Sequence, residues 1–303
     1  MKAIMFSNFG GPEVLGLTDA PIPQPGPGQI RVRVKTAGVN PLDSKIRRGW
    51  MEQLFPTTLP KIPGMELAGV VDQVGGEVDG VVVGNEVMGL AVTGTYAQYA
   101  LATTFAAKPA SMSWELAVSL PVAASTAISA LDELALRSGE TLIVHGAAGG
   151  VGTIAVQLAV ARGVKVIGTA SAANQSYLRS LGAIPLVYGE GLVNRVRSIV
   201  PDGIDAAFDV AGRGALADSI ALTGGPARVV TIADISASEH GVRFVTGNLG
   251  DGLPAALADL AQRYARGELI LTVERAFPLA EAAEAHRISE EGHARGKLVL
   301  NVD

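Results

Sequence analysis

The chain has 303 residues, 48% of them apolar and 17% charged, with a formal net charge of −5. That length holds two modest domains or one large one, and the composition is that of an ordered globular protein. With no Lys/Arg run there is no electrostatic footprint for nucleic acid or an acidic membrane surface, so small-molecule partners are expected. The absence of cysteine excludes disulfides, a thiolate nucleophile and Cys-ligated zinc or iron–sulfur clusters. The N-terminal MKAIMFSNFG turns polar too soon for a signal peptide, and no uninterrupted apolar run reaches the ~18 residues of a membrane span. A cytoplasmic protein without membrane partners is expected.

In chain order, the first third reads as β. MKAIMF, QIRVRVKTAGV (29–39), MELAGVVDQV (65–74), NEVMGLAV (85–92) and TYAQYALAT (95–103) are β-branched or alternating runs separated by Gly/Pro punctuation. They suggest a small, irregular barrel or sandwich. From about Ser113 the texture becomes Ala/Leu-rich with helical spacing, and Pro121 is expected to split it into two helices. Strand and helix then alternate: TLIVHG, TIAVQLAVARG, VKVIGTA, NQSYLRSLG, PLVYG, LVNRVRSIV and IDAAFDVAG. This order indicates a parallel sheet covered by helices on both faces. A long helix is expected over 251–267. After it, β texture returns around one helix, AEAAEAHRISEEG, in a tail that is either a separate unit or pairs back with the N-terminal strands.

Between the TLIVH strand and the next helix lies the glycine-rich turn VHGAAGGVG (144–152). At such a join the unpaired helix N–H groups and the positive end of the dipole receive a pyrophosphate. AAGGVG fits the dinucleotide fingerprint with Ala147 in the first position, Gly149 in the second and Gly152 in the third, around Gly150 and Val151. Gly149 would let the phosphates approach the backbone, and Gly152 would let the helix pack on the strand. No Asp or Glu occurs from Thr141 to Gly189, although an NAD-preferring fold places one about 20 residues after the glycines. Here Ala170-Ser171 stands there. A carboxylate would repel a 2′-phosphate, whereas Ser171 and Asn174 can donate hydrogen bonds to it, which favours NADPH. Ser171 could instead cap the next helix. Arg179 and Lys165 are the only nearby bases after Arg162.

Over essentially its whole length the chain resembles the medium-chain dehydrogenase/reductase superfamily, in its zinc-independent quinone oxidoreductase branch. The residues that carry this are AGVNPLDSKIRRG (37–49), PGMELAGVV (63–71), GTYAQYAL (94–101), LPVAASTAISAL (120–131), VHGAAGGVG and PLAEAAEAHRISEEGHARGKLVL (278–300). The resemblance implies an α/β protein: a Rossmann-type doubly wound parallel sheet over 113–269, and a GroES-like irregular β-barrel domain formed by 1–112 with 270–303. It also implies a cleft between the domains where nicotinamide meets substrate, and a homodimer, for which strand 242–245 is the candidate edge. Zinc-dependent relatives carry a His where Met65 precedes Glu66. Met65 cannot replace it, and the four histidines (145, 240, 286, 293) have no metal-site spacing, so no metal is expected.

The chemistry then expected is NADPH-dependent hydride delivery to a quinone, or to the β-carbon of an enal or enone, with the cofactor carrying the reaction. A non-catalytic NADPH-binding role, crystallin-like or as a sensor, is the alternative of another class. By the resemblance, Asn40 lies beside the nicotinamide and substrate; as a helix cap before LDSKIRRG it also makes structural sense. Thr126 matches a residue near the nicotinamide, or its hydroxyl bonds back to a helix carbonyl. Lys45 is a candidate to stabilise an enolate, or a solvated lysine. Tyr188 matches a position near the adenine-ribose phosphate, or packs in the core. No general acid stands out.

Overall fold

The computed structural model describes residues 1–302, which fall into two compact units, 1–122 with 251–302 and 123–250. In the first, six strands are ordered Val273–Pro278, Lys297–Asn301, Ile30–Val39, Glu66–Val74, Glu86–Ala91 and Tyr99–Ala107. The last pairs again with Ile30–Val39, which closes a barrel. Its core is built from Val32, Val34, Leu67, Val71, Phe277, Leu298 and Leu300. The C-terminal strand Lys297–Asn301 runs antiparallel to the end of Ile30–Val39, pairing Leu298 with Val39 and Asn301 with Thr36. The tail therefore joins the N-terminal strands, as the resemblance implied.

In the second unit all neighbours are parallel, in the order Arg243–Phe244, Val229–Thr231, Ala206–Asp209, Thr141–His145, Lys165–Ala170, Ile184–Val187. Every residue of Thr141–His145 is buried, which is why this strand reads as apolar throughout. From it the chain steps outward through Lys165–Ala170 and Ile184–Val187, then returns to Ala206–Asp209 on its other side. The order reverses there, and beyond the carboxyl ends of strands at such a reversal ligands bind. This is the α/β, doubly wound arrangement the sequence indicated.

Several boundaries differ from the sequence reading. Helix Trp114–Val118 packs on strands Ile30–Val39 and Glu66–Val74, and helix Leu253–Ala265 packs on Tyr99–Ala107. Both segments thus belong to the barrel unit rather than to the parallel-sheet unit, and the divisions fall at 122/123 and 250/251. Pro121 opens the helix Pro121–Glu133, at a position where its missing N–H costs nothing. The stretch 114–133 does reach the length and composition of a membrane span, contrary to the expectation from apolar runs; it forms two helices here, and 61% of the most apolar window is buried inside the protein. The strand expected over 95–103 begins only at Tyr99, because the N–H groups of Thr95 and Tyr96 both turn to the Pro63 carbonyl (3.0 and 3.1 Å) instead of a neighbouring strand.

Candidate functional site

The glycine-rich turn leads into a helix N-terminus, where unpaired N–H groups can receive an anion. Helix Gly150–Ala161 begins two residues earlier than Gly152, with Gly149 as its N-cap, so the N–H groups of its first turn open directly behind the Thr141–His145 strand. Two of the glycines serve different ends. A Cβ on Gly152 would stand 2.4 Å from the Gly146 carbonyl oxygen and 2.7 Å from Ala147 Cα, so Gly152 is required by packing of helix on turn. A Cβ on Gly149 would meet only the Gly146 oxygen at 3.5 Å, and its φ of −74° suits any residue. Nothing in the protein therefore requires glycine at 149. The bare backbone there leaves that side of the turn uncrowded, beside the first N–H groups of the helix. Ala147 is fully buried, with its Cβ under Gly168; Gly150 and Val151 form the first helical residues.

At the far end of this half-site, Ala170 and Val187 are register partners, so Ser171 and Tyr188 leave neighbouring strand ends, about 5 Å apart in the hydrogen-bonding direction. Ser171 takes the N-cap position of a short 3₁₀ turn, but its hydroxyl accepts from Asn174 Nδ2 (3.2 Å) instead of capping the backbone. Tyr188 is 52% exposed, which rules out the core-packing alternative. Gln175 Nε2 ties the strand ends by donating to the carbonyls of Ala170, Ser171 and Leu186 (3.2, 3.1 and 3.2 Å). Lys165 begins its strand and so lies at the opposite end of it from Ser171. Arg179 stands in the last turn of helix Gln175–Ser180.

Thr126 lies inside helix Pro121–Glu133 and is nearly buried. The backbone at Gly247 presses on it, a Cβ there standing 2.5 Å from Thr126 Oγ1. Buried Asp209 closes the neighbouring strand end: its Oδ1 accepts from the N–H groups of Ala211 and Gly212 (2.9 and 3.0 Å), and its Oδ2 from Thr231 Oγ1 (2.9 Å). His145 beside it has its pKa lowered, by burial first, against the opposing pull of Asp209.

The barrel unit holds a second polar centre. Asn40 precedes helix Pro41–Arg47, and the Asp43 carboxylate three residues on accepts the Asn40 N–H at 2.8 Å. The Asn40 side chain is fixed at both ends: Nδ2 donates to Glu66 Oε1 (2.8 Å) and Oδ1 accepts from Lys297 Nζ (2.5 Å). Lys297 also pairs with Glu66, whose other oxygen accepts the Val122 N–H at 2.8 Å. Glu66 is wholly buried and lies across Gly38, where a Cβ would stand 2.1 Å from Oε1, which explains the glycine in AGVN. Glu66 and Lys297 escaped the sequence reading because only the strand pairing brings 40, 66 and 297 together.

From Asp43 a buried run continues. Tyr96 Oη lies 3.2 Å from Asp43 Oδ2 and 3.0 Å from His286 Nε2, and His286 Nδ1 faces Arg47 Nη1 at 2.9 Å and Ser44 Oγ at 3.1 Å. Arginine only donates, so Nδ1 accepts, Nε2–H donates to Tyr96, and Tyr96 donates to Asp43. Arg47 also pairs with Glu290, which binds Arg48 as well (2.7 Å). Burial pushes the Asp43 carboxyl up to about 7, against the Asn40 hydrogen bond and the Lys297 charge. Burial, with the Arg47 charge, pushes His286 down to about 3. Lys45, on the last turn of the same helix, is half-buried and engaged in an interaction, rather than a freely solvated side chain. Among the described residues no group of three or more His, Cys, Asp or Glu side chains is placed to hold a metal ion.

Comparison with known proteins gives two family-model matches, an alcohol dehydrogenase GroES-like domain over residues 26–110 and a zinc-binding dehydrogenase over 181–300. The chain is 31% identical to a quinone oxidoreductase of Sus scrofa, over 99% of this chain and 97% of that one. It is also 31% identical to an NADPH-dependent alkenal/one oxidoreductase of Arabidopsis thaliana, over 99% and 79%. Among solved structures, a quinone oxidoreductase from Coxiella burnetii superposes with a TM-score of 0.87 at 32% identity, covering 100% of this chain and 99% of that one. A mycobacterial protein solved in complex with NADPH gives 0.87 at 29%, covering 100% of both.

Proposed function

The chain belongs to the medium-chain dehydrogenase/reductase superfamily, in its quinone oxidoreductase-like branch, and from that premise we propose that it transfers hydride from NADPH to a quinone or a similar electron-poor acceptor without a metal. The observation that carries the reading is Gly149: a glycine that no protein contact requires, at the mouth of a helix whose N–H groups await an anion. The lack of any carboxylate from Thr141 to Gly189 supports NADPH over NADH, as does the NADPH bound by the mycobacterial neighbour.

When bound, the nicotinamide supplies the hydride. The protein holds the diphosphate at Ala147–Gly152 and the adenosine end near Ser171, Asn174 and Tyr188. Asn40 is the group assigned to orient the acceptor, its amide locked by Lys297 and Glu66 so that little reorganisation is left for the reaction. Thr126 is assigned to the nicotinamide side. Reduction of an enal or enone is the second reading, favoured by the similarity to the Arabidopsis alkenal/one oxidoreductase. The edge strand Arg243–Phe244 supports a homodimer formed by sheet extension, which light scattering tests; a cytoplasmic location belongs to the same reading.

The test is loss of the reduced nicotinamide absorbance with a quinone, with an enal and with no acceptor, using NADPH and NADH in parallel. Quinone-dependent oxidation of NADPH is expected. Tight NADPH binding with no oxidation by any acceptor would replace the enzyme by a binding protein.

A further inference from the structure

An arginine that the sequence does not place near the adenosine end is brought there by the fold. Arg195, in helix Leu192–Ile199, turns back onto the loop that follows strand Ile184–Val187. Its Nη2 donates to the carbonyls of Val187 (2.9 Å) and Gly189 (3.3 Å), and its Nη1 to that of Glu190 (2.6 Å). The guanidinium thus sits at the strand end carrying Tyr188, one strand over from Ser171.

Its hydrogen bonding is incomplete. Of the five N–H donors a guanidinium carries, three are taken by these carbonyls, and Nε is buried with no partner. Among the described residues no carboxylate pairs with it. Arg228, in the same unit, shows the contrast, because both its terminal nitrogens bond to Glu140 at 2.8 and 2.9 Å. The single carboxylate of the Tyr188–Gly191 turn, Glu190, is exposed to solvent.

The surroundings favour an anion. Gln175 and Arg195 together occupy the carbonyl oxygens of Ala170, Ser171, Leu186, Val187, Gly189 and Glu190. Each of these carbonyl oxygens has an N–H donor within 3.3 Å, and the Arg195 guanidinium brings a positive charge to this strand end, with the one carboxylate of the turn, Glu190, turned to solvent.

We infer that Arg195 is the residue that discriminates NADPH from NADH, its guanidinium supplying the countercharge for a phosphate monoester at the ends of the second and third strands of this sheet. The inference rests on the cofactor reading above. Arg195 was invisible to the sequence because it lies 24 residues beyond Ser171, and only the pairing of Ala170 with Val187 makes it a neighbour.

Calorimetric titration of wild type, Arg195→Ala and Arg195→Lys with NADPH, NADH, 2′,5′-ADP and 5′-AMP tests it. A lost hydrogen bond to a charged group corresponds to roughly a 10- to 100-fold change in affinity. Arg195→Ala should weaken NADPH and 2′,5′-ADP by that factor and leave NADH and 5′-AMP within about twofold; Arg195→Lys should retain part of the preference. Equal weakening of all four ligands would reduce Arg195 to a brace for the Tyr188 turn and overturn the inference, as would an unchanged preference in Arg195→Ala. A wild type that binds neither dinucleotide, or prefers NADH, would overturn the cofactor reading itself, and Arg195 with it.

Discussion

Asp43 and His286 are buried in one hydrogen-bonded run with Tyr96 between them, and their titrations oppose each other. Folded Asp43 keeps its proton up to about 7, whereas the unfolded carboxyl releases it near 3.8. Its contribution to stability is therefore full below 3.8 and declines as pH rises to 7, by ~4 kcal/mol. Folded His286 stays neutral down to about 3, whereas the unfolded imidazole is protonated below 6.5. Its contribution is full above 6.5 and declines as pH falls to 3, by ~5 kcal/mol. Between about pH 4 and 6.5 the two slopes are equal and opposite, so in the wild type they cancel. Removing one group exposes the other. Asp43→Asn keeps an oxygen able to accept from Asn40 and Tyr96 yet loses the titration; relative to wild type its stability should rise by ~3 kcal/mol from about pH 4 to 6.5. His286→Gln should show the reverse trend of similar size. Urea unfolding followed by tryptophan fluorescence at four or five pH values reads both, and referring each variant to wild type at the same pH removes the other titrating groups. If both variants run parallel to wild type within about 0.5 kcal/mol, neither group titrates as its burial demands and the assigned hydrogen-bond direction fails with it.

Three further substitutions probe the two polar centres. Gly152→Ala, whose Cβ would stand 2.4 Å from the Gly146 oxygen, should destabilise the protein by about 1–3 kcal/mol in denaturant melts as well as impair nucleotide binding. Asn40→Ala removes buried bonds to Glu66 and Lys297; kcat should fall at least tenfold while NADPH affinity, by calorimetry, changes little. Gly38→Ala should displace the Glu66 carboxylate and reproduce the kcat loss of Asn40→Ala without touching Asn40, a correspondence that steady-state kinetics checks.

The parallel sheet was legible because its buried strands are continuous apolar runs and its glycine-rich turn has a local signature. The compact units divide at 122/123 and 250/251, not at the ends of the helical stretches, because helical periodicity tells that a face is buried but not against what; helices Trp114–Val118 and Leu253–Ala265 both pack on barrel strands. The Asn40–Glu66–Lys297 and Asp43–Tyr96–His286 groups join residues more than twenty to more than two hundred positions apart, and no spacing rule spans such separations. Gly149 shows the opposite case. Its motif was visible in the sequence, yet only the geometry separates a glycine kept for packing, at 152, from one whose backbone is left bare.

The most direct measurement is calorimetric titration of NADPH into wild type and Gly149→Ala. The added methyl meets only one atom, at 3.5 Å, and an alanine N-cap costs about 1 kcal/mol, so the variant should fold and melt close to wild type. Uptake of NADPH by wild type, and its loss by at least tenfold in a folded Gly149→Ala, is the expected result. A wild type that takes up neither nicotinamide nucleotide, or a variant that binds NADPH undiminished, would contradict the assignment of that bare backbone to a diphosphate.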